Sequence, residues 1–341
     1  MELFIDSVRF DEISAAAELG FVEGVTTTPT FMYRDGVKDV NGVITELAKL
    51  PVRQVHVEVL GDSVDAMIAE AQRLAELPGM REKACFKIPV TWDGCRAARR
   101  LTDAGFRVNL HLVYTVNQAY MAALAGAAYI CMLVGRLEDQ SMEAWGAIEE
   151  TAGLIERYRF ASKLMVASVR TPDHVRRALA CGAHTVTVPW KILKMLPENL
   201  VTGRGIEDFT THARLSSLTA RQLLRPDNPL VKGGATVAEA AILMTRSRLG
   251  AISVVDGDGA LIGILTDGDL RRAVDHAQLG SEPVDQLMSR APKAVPEDTI
   301  LSEVVDTMRG AQVDNLVVVD GQGRPVGMID IQDLLRDGLI Q

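Results

Sequence analysis

The chain has 341 residues, a length that predicts two domains, one of them large enough to be a barrel. Hydrophobic residues make up 48% and charged residues 24%, which is ordinary for a globular protein. The net charge of −9 argues against nucleic acids and membranes as partners. Small anionic ligands stay open, because a phosphate site needs only a few local donors.

The N-terminus and the cysteines indicate a cytoplasmic protein. The N-terminal residues include acidic side chains and no basic segment, so we expect no secretory signal. Residues 108–135 contain no Asp, Glu, Lys or Arg, but polar residues and Gly126 interrupt them, which predicts a strand, a buried helix and a second strand rather than a membrane span. The four cysteines form no CxxC pair, which indicates reduced thiols and no metal site.

Up to about residue 200 one unit repeats: a short β-branched run, a turn and an amphipathic helix. The helical patterns include residues 63–77, 94–104 and 172–181, and glycines such as Gly105 and Gly182 follow them, as is typical of left-handed helix caps. The predicted strands are residues 3–6, 24–28, 54–60, 84–90, 107–114, 129–134, 164–169 and 185–189.

Eight strands alternating with helices predict parallel pairing and favour an α/β fold of the (β/α)8 TIM barrel type. The structural alternative is an open, doubly wound sheet. Such a sheet normally carries a glycine-rich phosphate loop after its first strand, and no such loop follows residues 3–6 here.

The C-terminal part contains an internal repeat. After a predicted helix over residues 206–224, the proline-rich segment 225–229 gives the expected boundary, with a barrel over 1–224 and a second domain over 225–341. Residues 251–270 align with residues 315–334, and each copy reads as strand, Asp-Gly turn, strand and start of a helix. This pattern predicts two stacked α+β units, preceded by helices over 237–247 and 300–310.

Charged residues within apolar strands are the first candidates for chemistry. Lys87 lies between Phe86 and Ile88, and it is either a structural ion-pair partner or a desolvated, neutral amine that acts as a nucleophile. Asp6 and Glu58 occupy comparable places in the first and third strands, where each could also be a structural partner only. A lysine and two carboxylates in one cavity are the groups that imine chemistry needs.

Anion donors lie at the ends of the later strands. Arg136 follows the sixth strand, although taken alone it could equally be a surface residue. Ser168 and Arg170 end the seventh strand, just before a helix that begins after Thr171. Guanidinium groups and a helix N-terminus together predict a phosphate pocket at these strands.

With these residues in place, the first 215 or so resemble the small transaldolase and fructose-6-phosphate aldolase family. The matching segments recur in order at residues 1–6, 24–29, 87–91, 123–127, 134–136 and 167–172. The resemblance implies that Lys87 is the Schiff-base lysine and Asp6 the general acid/base. It implies that Glu58 and the Thr26 hydroxyl position the water that forms and breaks the imine.

The same resemblance implies that Arg136, Ser168 and Arg170 hold the phosphate of a ketose phosphate. It also implies that catalysis needs no cofactor, and that the chain forms a homo-oligomer such as the decamer of the family. Aldolase members usually have Gln where Glu58 stands, whereas transaldolases have Glu. We therefore expect transfer of a three-carbon dihydroxyacetone unit to an aldehyde phosphate, with simple aldol cleavage as the alternative.

Several positions depart from the family pattern. Thr28 replaces an Asn that holds the donor end of the substrate, and Leu133 replaces a Tyr or Phe. His111 stands where the family usually has Thr, and it is either a packed residue or a group with a chemical role. Asn109 matches an Asn of transaldolases and is expected to contact substrate. These departures keep a third hypothesis open, a barrel without activity that serves as a nucleotide-sensing scaffold.

The tandem repeat resembles a cystathionine-β-synthase (CBS) domain pair, and more narrowly the pair appended to arabinose-5-phosphate isomerases. In such sites a Thr-x-x-Asp motif binds phosphate and ribose. Thr266 and Asp269 match it, with Asp267 between them as a further candidate, whereas the second copy has Asp330 in the Thr place and retains Asp333. The resemblance implies an adenine nucleotide or nucleotide sugar at the first site; the alternative is a pair that only mediates oligomer contacts.

Overall fold

Eight parallel strands close into a barrel in the computed structural model, which describes residues 1–273 and 280–340. Each strand pairs with the next in the chain, and the eighth returns to the first, with Ile5 beside Val188. The predicted (β/α)8 barrel is therefore confirmed. Its strands are β1 (Glu2–Asp6), β2 (Val22–Thr26), β3 (Gln54–Glu58), β4 (Ala84–Pro89), β5 (Arg107–Val113), β6 (Tyr129–Leu133), β7 (Lys163–Ala167) and β8 (Thr185–Val188).

Helices follow the strands and cover the outside of the barrel. Their apolar faces join the outward side chains of the strands in one core, so the fold is stabilised mainly by this burial. The helices are α1 (Phe10–Glu18), α2 (Pro29–Arg34), α3 (Val40–Lys49), α4 (Val64–Ala75), α5 (Met80–Lys83), α6 (Trp92–Asp103), α7 (Val116–Leu124), α8 (Val134–Asp139), α9 (Trp145–Tyr158), α10 (Pro172–Ala180) and α11 (Trp190–Met195).

Local signals fix where the helices begin and end. The hydroxyls of Thr91 and Thr171 accept hydrogen bonds from backbone N–H groups in the first turns of α6 and α10. Gly105 and Gly182 follow α6 and α10 with φ of +83° and +76°, the left-handed conformation that glycine adopts without strain. Residues 108–135 form β5, α7 and β6, as predicted.

Within the described residues, no helix combines the length and the apolar character that crossing a membrane would require.

The chain folds into two compact units, Met1–Glu198 and Asn199–Gln341. The helix predicted over 206–224 is wrong in extent, because α12 (Leu200–Ser217) begins earlier and Leu218 is extended. Thr219 then opens a separate short helix, α13 (Ala220–Leu223), through a reciprocal cap with Gln222. The domain boundary after residue 224 stays a prediction.

The second unit contains the two copies of the repeat. Each copy has a short strand, a helix, an antiparallel strand pair and a short helix, and the first also contains β12 (Ser289–Arg290) and a 3-10 turn at Val284–Gln286. The first copy comprises β9 (Leu230–Lys232), α14 (Val237–Ser247), β10 (Ala251–Val255), β11 (Leu261–Thr266) and α15 (Asp267–Arg272). The second comprises β13 (Ala294–Pro296), α16 (Leu301–Ala311), β14 (Asn315–Val319), β15 (Pro325–Asp330) and α17 (Ile331–Arg336).

The two copies bury a shared apolar cluster. Ala251 and Ile264 of the first copy pack with Val317 and Met328 of the second. A single copy would leave these side chains in water, which is why the repeat occurs as a pair.

Gly24 in β2 tests how closely the barrel strands pack. A Cβ atom at this position would lie 2.5 Å from the carbonyl oxygen of Gln54 and 2.8 Å from the ring of Phe4. We expect Gly24→Ala to lower the free energy of unfolding by about 1–3 kcal/mol, because the backbone of β3 must move. Chemical unfolding followed by tryptophan fluorescence measures this, since all three tryptophans lie in the first unit.

Gly153 in α9 provides the matched control, because nothing lies within 4 Å of a Cβ added there. Gly153→Ala should raise the free energy of unfolding by up to about 1 kcal/mol through helix propensity. Equal effects of the two alanines would contradict the tight strand packing at Gly24.

Candidate active site

A cavity of about 530 Å³ opens at the carboxyl ends of the barrel strands. It brings together most residues that the sequence analysis singled out in the barrel, from strands β1 to β6 and from the segments after β2, β6 and β7. The lining includes Asp6, Thr26, Thr28, Arg34, Glu58, Lys87, His111, Leu133, Arg136, Ser168, Arg170 and Thr187.

The alternation of side chains along a strand explains which residues reach this cavity. Residues two apart on one strand both point into the barrel, and odd-numbered strands contribute to the same layers. The layer that lines the cavity contains Asp6, Glu58 and His111, and the layer below it contains Phe4, His56 and Asn109.

Lys87 lies at the centre of the site and is only 5% exposed. Its Nζ donates a hydrogen bond of 2.7 Å to the carbonyl oxygen of Thr27, and it lies 3.1 Å from Oε2 of Glu58. β3 and β4 are paired with Glu58 beside Lys87, so the register itself brings the two charges together. The amine thus faces the cavity next to an acidic group.

Asp6 belongs to a short chain of hydroxyl groups. Thr26 Oγ1 donates a hydrogen bond of 2.8 Å to Asp6 Oδ1, and the Thr187 hydroxyl lies 2.6 Å from that of Thr26. Burial raises the pKa of the Asp6 carboxyl, while the charge of Lys87 and the bond from Thr26 oppose this in part. Asp6 therefore holds its proton to a higher pH than an exposed aspartate does. The Thr26 hydroxyl is engaged with Asp6 rather than with Glu58.

Glu58 lies between two nitrogen bases. Its Oε1 contacts Nε2 of His111, while its Oε2 faces Lys87. Burial raises the pKa of Glu58, but the contacts with His111 and Lys87 together outweigh this and leave the pKa below its usual range. Burial lowers the pKa of His111, and the neighbouring Glu58 only partly restores it. A carboxylate beside a neutral imidazole is the favoured state at neutral pH.

Asn109 does not reach the cavity. It is fully buried one layer below, and its Nδ2 lies 3.0 Å from Nδ1 of His56. His56 in turn lies 3.3 Å from the Gln54 side chain, which exchanges hydrogen bonds with Tyr129. This polar cluster forms the floor below the site. Asn109 lies deeper than the strand pattern alone indicates, because the depth of a residue depends on the shear of the barrel.

The predicted anion donors gather at one side of the cavity. Arg136 is exposed and, among residues 1–273 and 280–340, has no hydrogen-bond or ion-pair partner. Arg170 contacts the carboxylate of Asp139 on α8 through both terminal nitrogens. Ser168 adopts a left-handed φ of +58°. Gly135 lets the side chain of Arg170 lie close to the start of α8, because a Cβ atom on Gly135 would lie 2.7 Å from Nε of Arg170.

The lining residues that the sequence analysis did not single out include Arg34 and Thr187. Arg34 reaches the cavity from the end of α2, where its guanidinium lies 4.7 Å from the Phe31 ring centroid. Thr187 is buried in β8, and its alternation with Val186 and Val188 could have indicated an inward hydroxyl. The sequence contains no comparable pattern to indicate that α2 directs Arg34 toward the cavity.

Two departures from the family pattern also line the cavity. The Thr28 hydroxyl accepts a hydrogen bond of 3.3 Å from the Phe31 N–H and so caps α2. Leu133 is 8% exposed and gives the cavity an apolar wall.

The motif residues of the second unit are held by internal contacts. Asp269 Oδ2 accepts hydrogen bonds from the backbone and the hydroxyl of Thr266, at 2.9 and 2.8 Å. The backbone N–H of Asp267 donates a hydrogen bond of 2.8 Å to the carbonyl oxygen of Gly250. In the second copy, Asp333 is 2% exposed and binds Arg225 at 2.5 and 2.8 Å and Arg336 at 2.9 Å. Asp330 caps α17.

Titration of His111 tests the charges of the site. We expect a pKa below the usual 6.5, because burial disfavours the imidazolium, and a further decrease in Glu58→Gln, because the carboxylate that favours it is removed. Ring NMR signals measured against pH give both values, with His111→Gln to assign them. A pKa at or above 6.5, or no change in Glu58→Gln, would contradict this electrostatic picture.

Comparison with known proteins agrees with this geometry. The sequence profile of the family described as "Transaldolase/Fructose-6-phosphate aldolase" matches residues 3–223, and that of the CBS domain matches residues 220–276 and 284–339. A "Probable transaldolase" of Carboxydothermus hydrogenoformans is 38% identical over 209 residues, covering 61% of this chain and 96% of that relative. A "Probable transaldolase 2" of Bacillus anthracis is 38% identical over 212 residues, with the same coverage.

Among solved structures, a CBS domain protein from Pyrobaculum aerophilum in complex with AMP is 23% identical, with a TM-score of 0.33; it covers 34% of this chain and 90% of that chain. The barrel profile spans well over half of the residues, and its match begins in β1 and ends in α13. The chain therefore belongs to the transaldolase/fructose-6-phosphate aldolase family and carries a tandem pair of CBS domains.

Proposed function

We propose that the chain is a transaldolase that holds a ketose phosphate as a Schiff base on Lys87 and transfers a three-carbon dihydroxyacetone unit to an aldehyde phosphate. The observation that carries this proposal is the buried Lys87 amine facing the cavity 3.1 Å from Glu58, with Asp6 lining the same space. Such a group of one lysine and two carboxylates suits imine formation followed by carbon–carbon cleavage.

The first step forms the imine. The neutral amine of Lys87 attacks the ketose carbonyl, and the resulting carbinolamine loses water to give an iminium ion, which accepts electrons in the next step. Glu58 is suited to exchange protons with the attacking amine and the leaving hydroxyl, because it lies within reach of Nζ and its lowered pKa keeps it a carboxylate.

The second step breaks the carbon–carbon bond. Asp6 removes the proton from the hydroxyl one carbon beyond that bond, and the bonding electrons move into the iminium to leave an enamine on Lys87. The raised pKa of Asp6 supports this role, since it brings the carboxyl closer to the working pH of an acid/base catalyst. The Thr187–Thr26–Asp6 hydroxyl chain holds the carboxylate in place.

In the third step, the enamine attacks an aldehyde phosphate, Asp6 returns its proton to the new hydroxyl, and water releases the product ketose from Lys87. Arg136, Ser168 and Arg170 are proposed to hold the phosphate, because they line one side of the cavity. Arg34 adds a further positive charge to the lining.

Transfer is favoured over simple aldol cleavage by two residues. Leu133 presents an apolar wall, and its side chain cannot donate a proton to the enamine. Glu58, with its lowered pKa, provides a carboxylate where an aldolase has a neutral amide. Both features slow protonation of the enamine and leave it available for an aldehyde.

Borohydride trapping tests the covalent step. In the presence of fructose 6-phosphate, we expect reduction to leave a stable adduct on the wild-type protein, located at Lys87 by peptide mass spectrometry. Lys87→Met should give none, because the nucleophile is absent. Lys49→Met is the matched control, since Lys49 is an exposed lysine on α3, and it should be labelled like the wild type.

The dependence of product release on an aldehyde acceptor then distinguishes transfer from simple aldol cleavage. Product release that requires erythrose 4-phosphate or another aldehyde phosphate indicates transfer, and release into water alone indicates an aldolase. Absence of any adduct with a series of ketose phosphates would contradict both and leave the scaffold hypothesis.

We also propose that the first CBS copy binds an adenine nucleotide or a nucleotide sugar that regulates the barrel. The second motif is less suited to an anion, because Asp330 places a carboxylate where the first copy has the hydroxyl of Thr266. Thr266 and Asp269 of the first copy retain the hydroxyl and carboxylate that phosphate and ribose require. We further propose that the chain forms a homo-oligomer and acts on sugar phosphates in the cytoplasm.

Thermal unfolding with and without AMP tests the nucleotide site. At about 100 times the Kd, ligand binding should add about 2.7 kcal/mol of stability and raise the Tm of the second unit. We expect Thr266→Ala to lose this increase and Asp330→Asn to keep it. Each variant is compared with itself without AMP, because the alanine also removes a helix cap. No increase with AMP, ADP, ATP or a nucleotide sugar would overturn the site.

A further inference from the structure

Two short segments of the barrel carry the residues that are proposed to hold the phosphate. Arg136 lies on α8, whereas Ser168 and Arg170 lie between β7 and α10. These three residues can bind one phosphate together only if the two segments keep a fixed spacing. The contacts between the segments therefore decide how well the site is prepared for its ligand before the ligand arrives.

The contacts at the surface of the site are weak or strained. Arg170 pairs with Asp139 of α8, but the two side chains are 49% and 44% exposed, and an exposed ion pair contributes little. A Cβ atom on Gly135 would clash with the carbonyl oxygen of Ser168, so α8 begins directly against this segment. Ser168 has a φ of +58°, which costs energy in a residue other than glycine and persists only where the surroundings hold it.

His174 provides a buried contact with both segments. It lies in the first turn of α10 and is 7% exposed, and its Nδ1 accepts a hydrogen bond of 3.4 Å from the backbone N–H of Arg170. Because Nδ1 accepts, the neutral ring carries its proton on Nε2, which lies 3.0 Å from Oε2 of Glu138 on α8. One imidazole thus connects α8 to the backbone of Arg170.

Trp145 of α9 holds the other oxygen of Glu138. Its indole Nε1 donates a hydrogen bond of 3.2 Å to Oε1 of Glu138, and its ring meets that of His174 edge to face, with the centroids 5.7 Å apart. Trp145 is itself buried. The Glu138 carboxylate is therefore oriented by an indole on one side and an imidazole on the other, while the neighbouring Asp139 is the residue that pairs with Arg170.

We propose that His174 is a positioning residue for the phosphate site, and that its contacts with Glu138 and with the Arg170 backbone set the spacing of the residues that bind the phosphate. Neither His174, Glu138 nor Trp145 lines the cavity, so they act only through the segments that do. This inference rests on the phosphate site of the proposed function, but it does not depend on the Schiff base at Lys87.

A ligand with a phosphate and a ligand without one together test this role. Isothermal titration calorimetry gives the affinity for glucitol 6-phosphate, which has no carbonyl group and cannot react. Borohydride trapping of dihydroxyacetone, which has no phosphate, gives the rate of adduct formation at Lys87. We expect His174→Ala to weaken binding of glucitol 6-phosphate by about 10-fold, because two contacts are lost, and to leave the trapping rate unchanged.

His184→Ala is the matched control. His184 lies just before β8, at the end of the barrel opposite the cavity, and its Nδ1 also accepts a hydrogen bond from a backbone N–H, that of Leu164 at 3.2 Å. The same substitution there removes the same kind of contact, but it should keep the wild-type affinity for glucitol 6-phosphate.

Two conservative variants separate the contacts of His174. The amide of His174→Asn can keep an acceptor for the Arg170 N–H, whereas the amide of His174→Gln can keep a donor towards Glu138. Each variant should lose about 3-fold in affinity, less than His174→Ala, because one contact remains. If His174→Ala does not fold, these two variants decide, and wild-type affinity in both overturns the inference.

The outcomes separate this inference from the proposed function. Unchanged affinity for glucitol 6-phosphate in a folded His174→Ala overturns the role of His174 and leaves the Schiff base. An equal loss of dihydroxyacetone trapping also overturns that role, because the effect is then general. A wild type that binds glucitol 6-phosphate but forms no adduct overturns the Schiff base alone. A wild type that binds glucitol 6-phosphate no better than glucitol overturns the phosphate site and the role of His174 together.

Discussion

The burial of one amine beside one carboxylate is the constraint on which the site depends. Lys87 and Glu58 are neighbours because β3 and β4 pair in a fixed parallel register, and the closed barrel removes both side chains from bulk water. Removing either partner leaves an uncompensated charge in the barrel, which typically costs about 3–5 kcal/mol. The helices, the outer core and the polar floor around His56 all keep this pair in place.

Much of this arrangement could be predicted from the sequence, because it follows from strand periodicity. Eight short β-branched runs indicated the barrel, and the parity of positions along the strands put Asp6, Glu58 and Lys87 inside it. The internal repeat predicted two stacked units, because its spacing is a property of the chain alone. The resemblance of this repeat to a CBS pair is confirmed by the family profile. Family motifs then supplied roles that spacing could not.

The sequence could not indicate how deep a side chain lies in the barrel, or in which direction the segments after the strands run. Asn109 and His111 have the same parity in β5, yet only His111 reaches the cavity, since depth depends on the tilt and shear of the whole barrel. Arg34 turns inward because of the path of α2, and Leu218 interrupts the predicted helix because Thr219 forms a new cap. Each of these depends on tertiary geometry that a local pattern does not contain.

The pairing of Arg170 with Asp139 has a consequence for selectivity among ligands. An incoming anion must exchange with a carboxylate that is already bound, so binding resembles ion exchange rather than simple neutralisation. If Arg170 holds a phosphate as proposed, a phosphate group can replace the Asp139 carboxylate on the guanidinium, whereas a neutral sugar cannot. Competition with Asp139 would then increase the preference of this arginine for phosphorylated ligands.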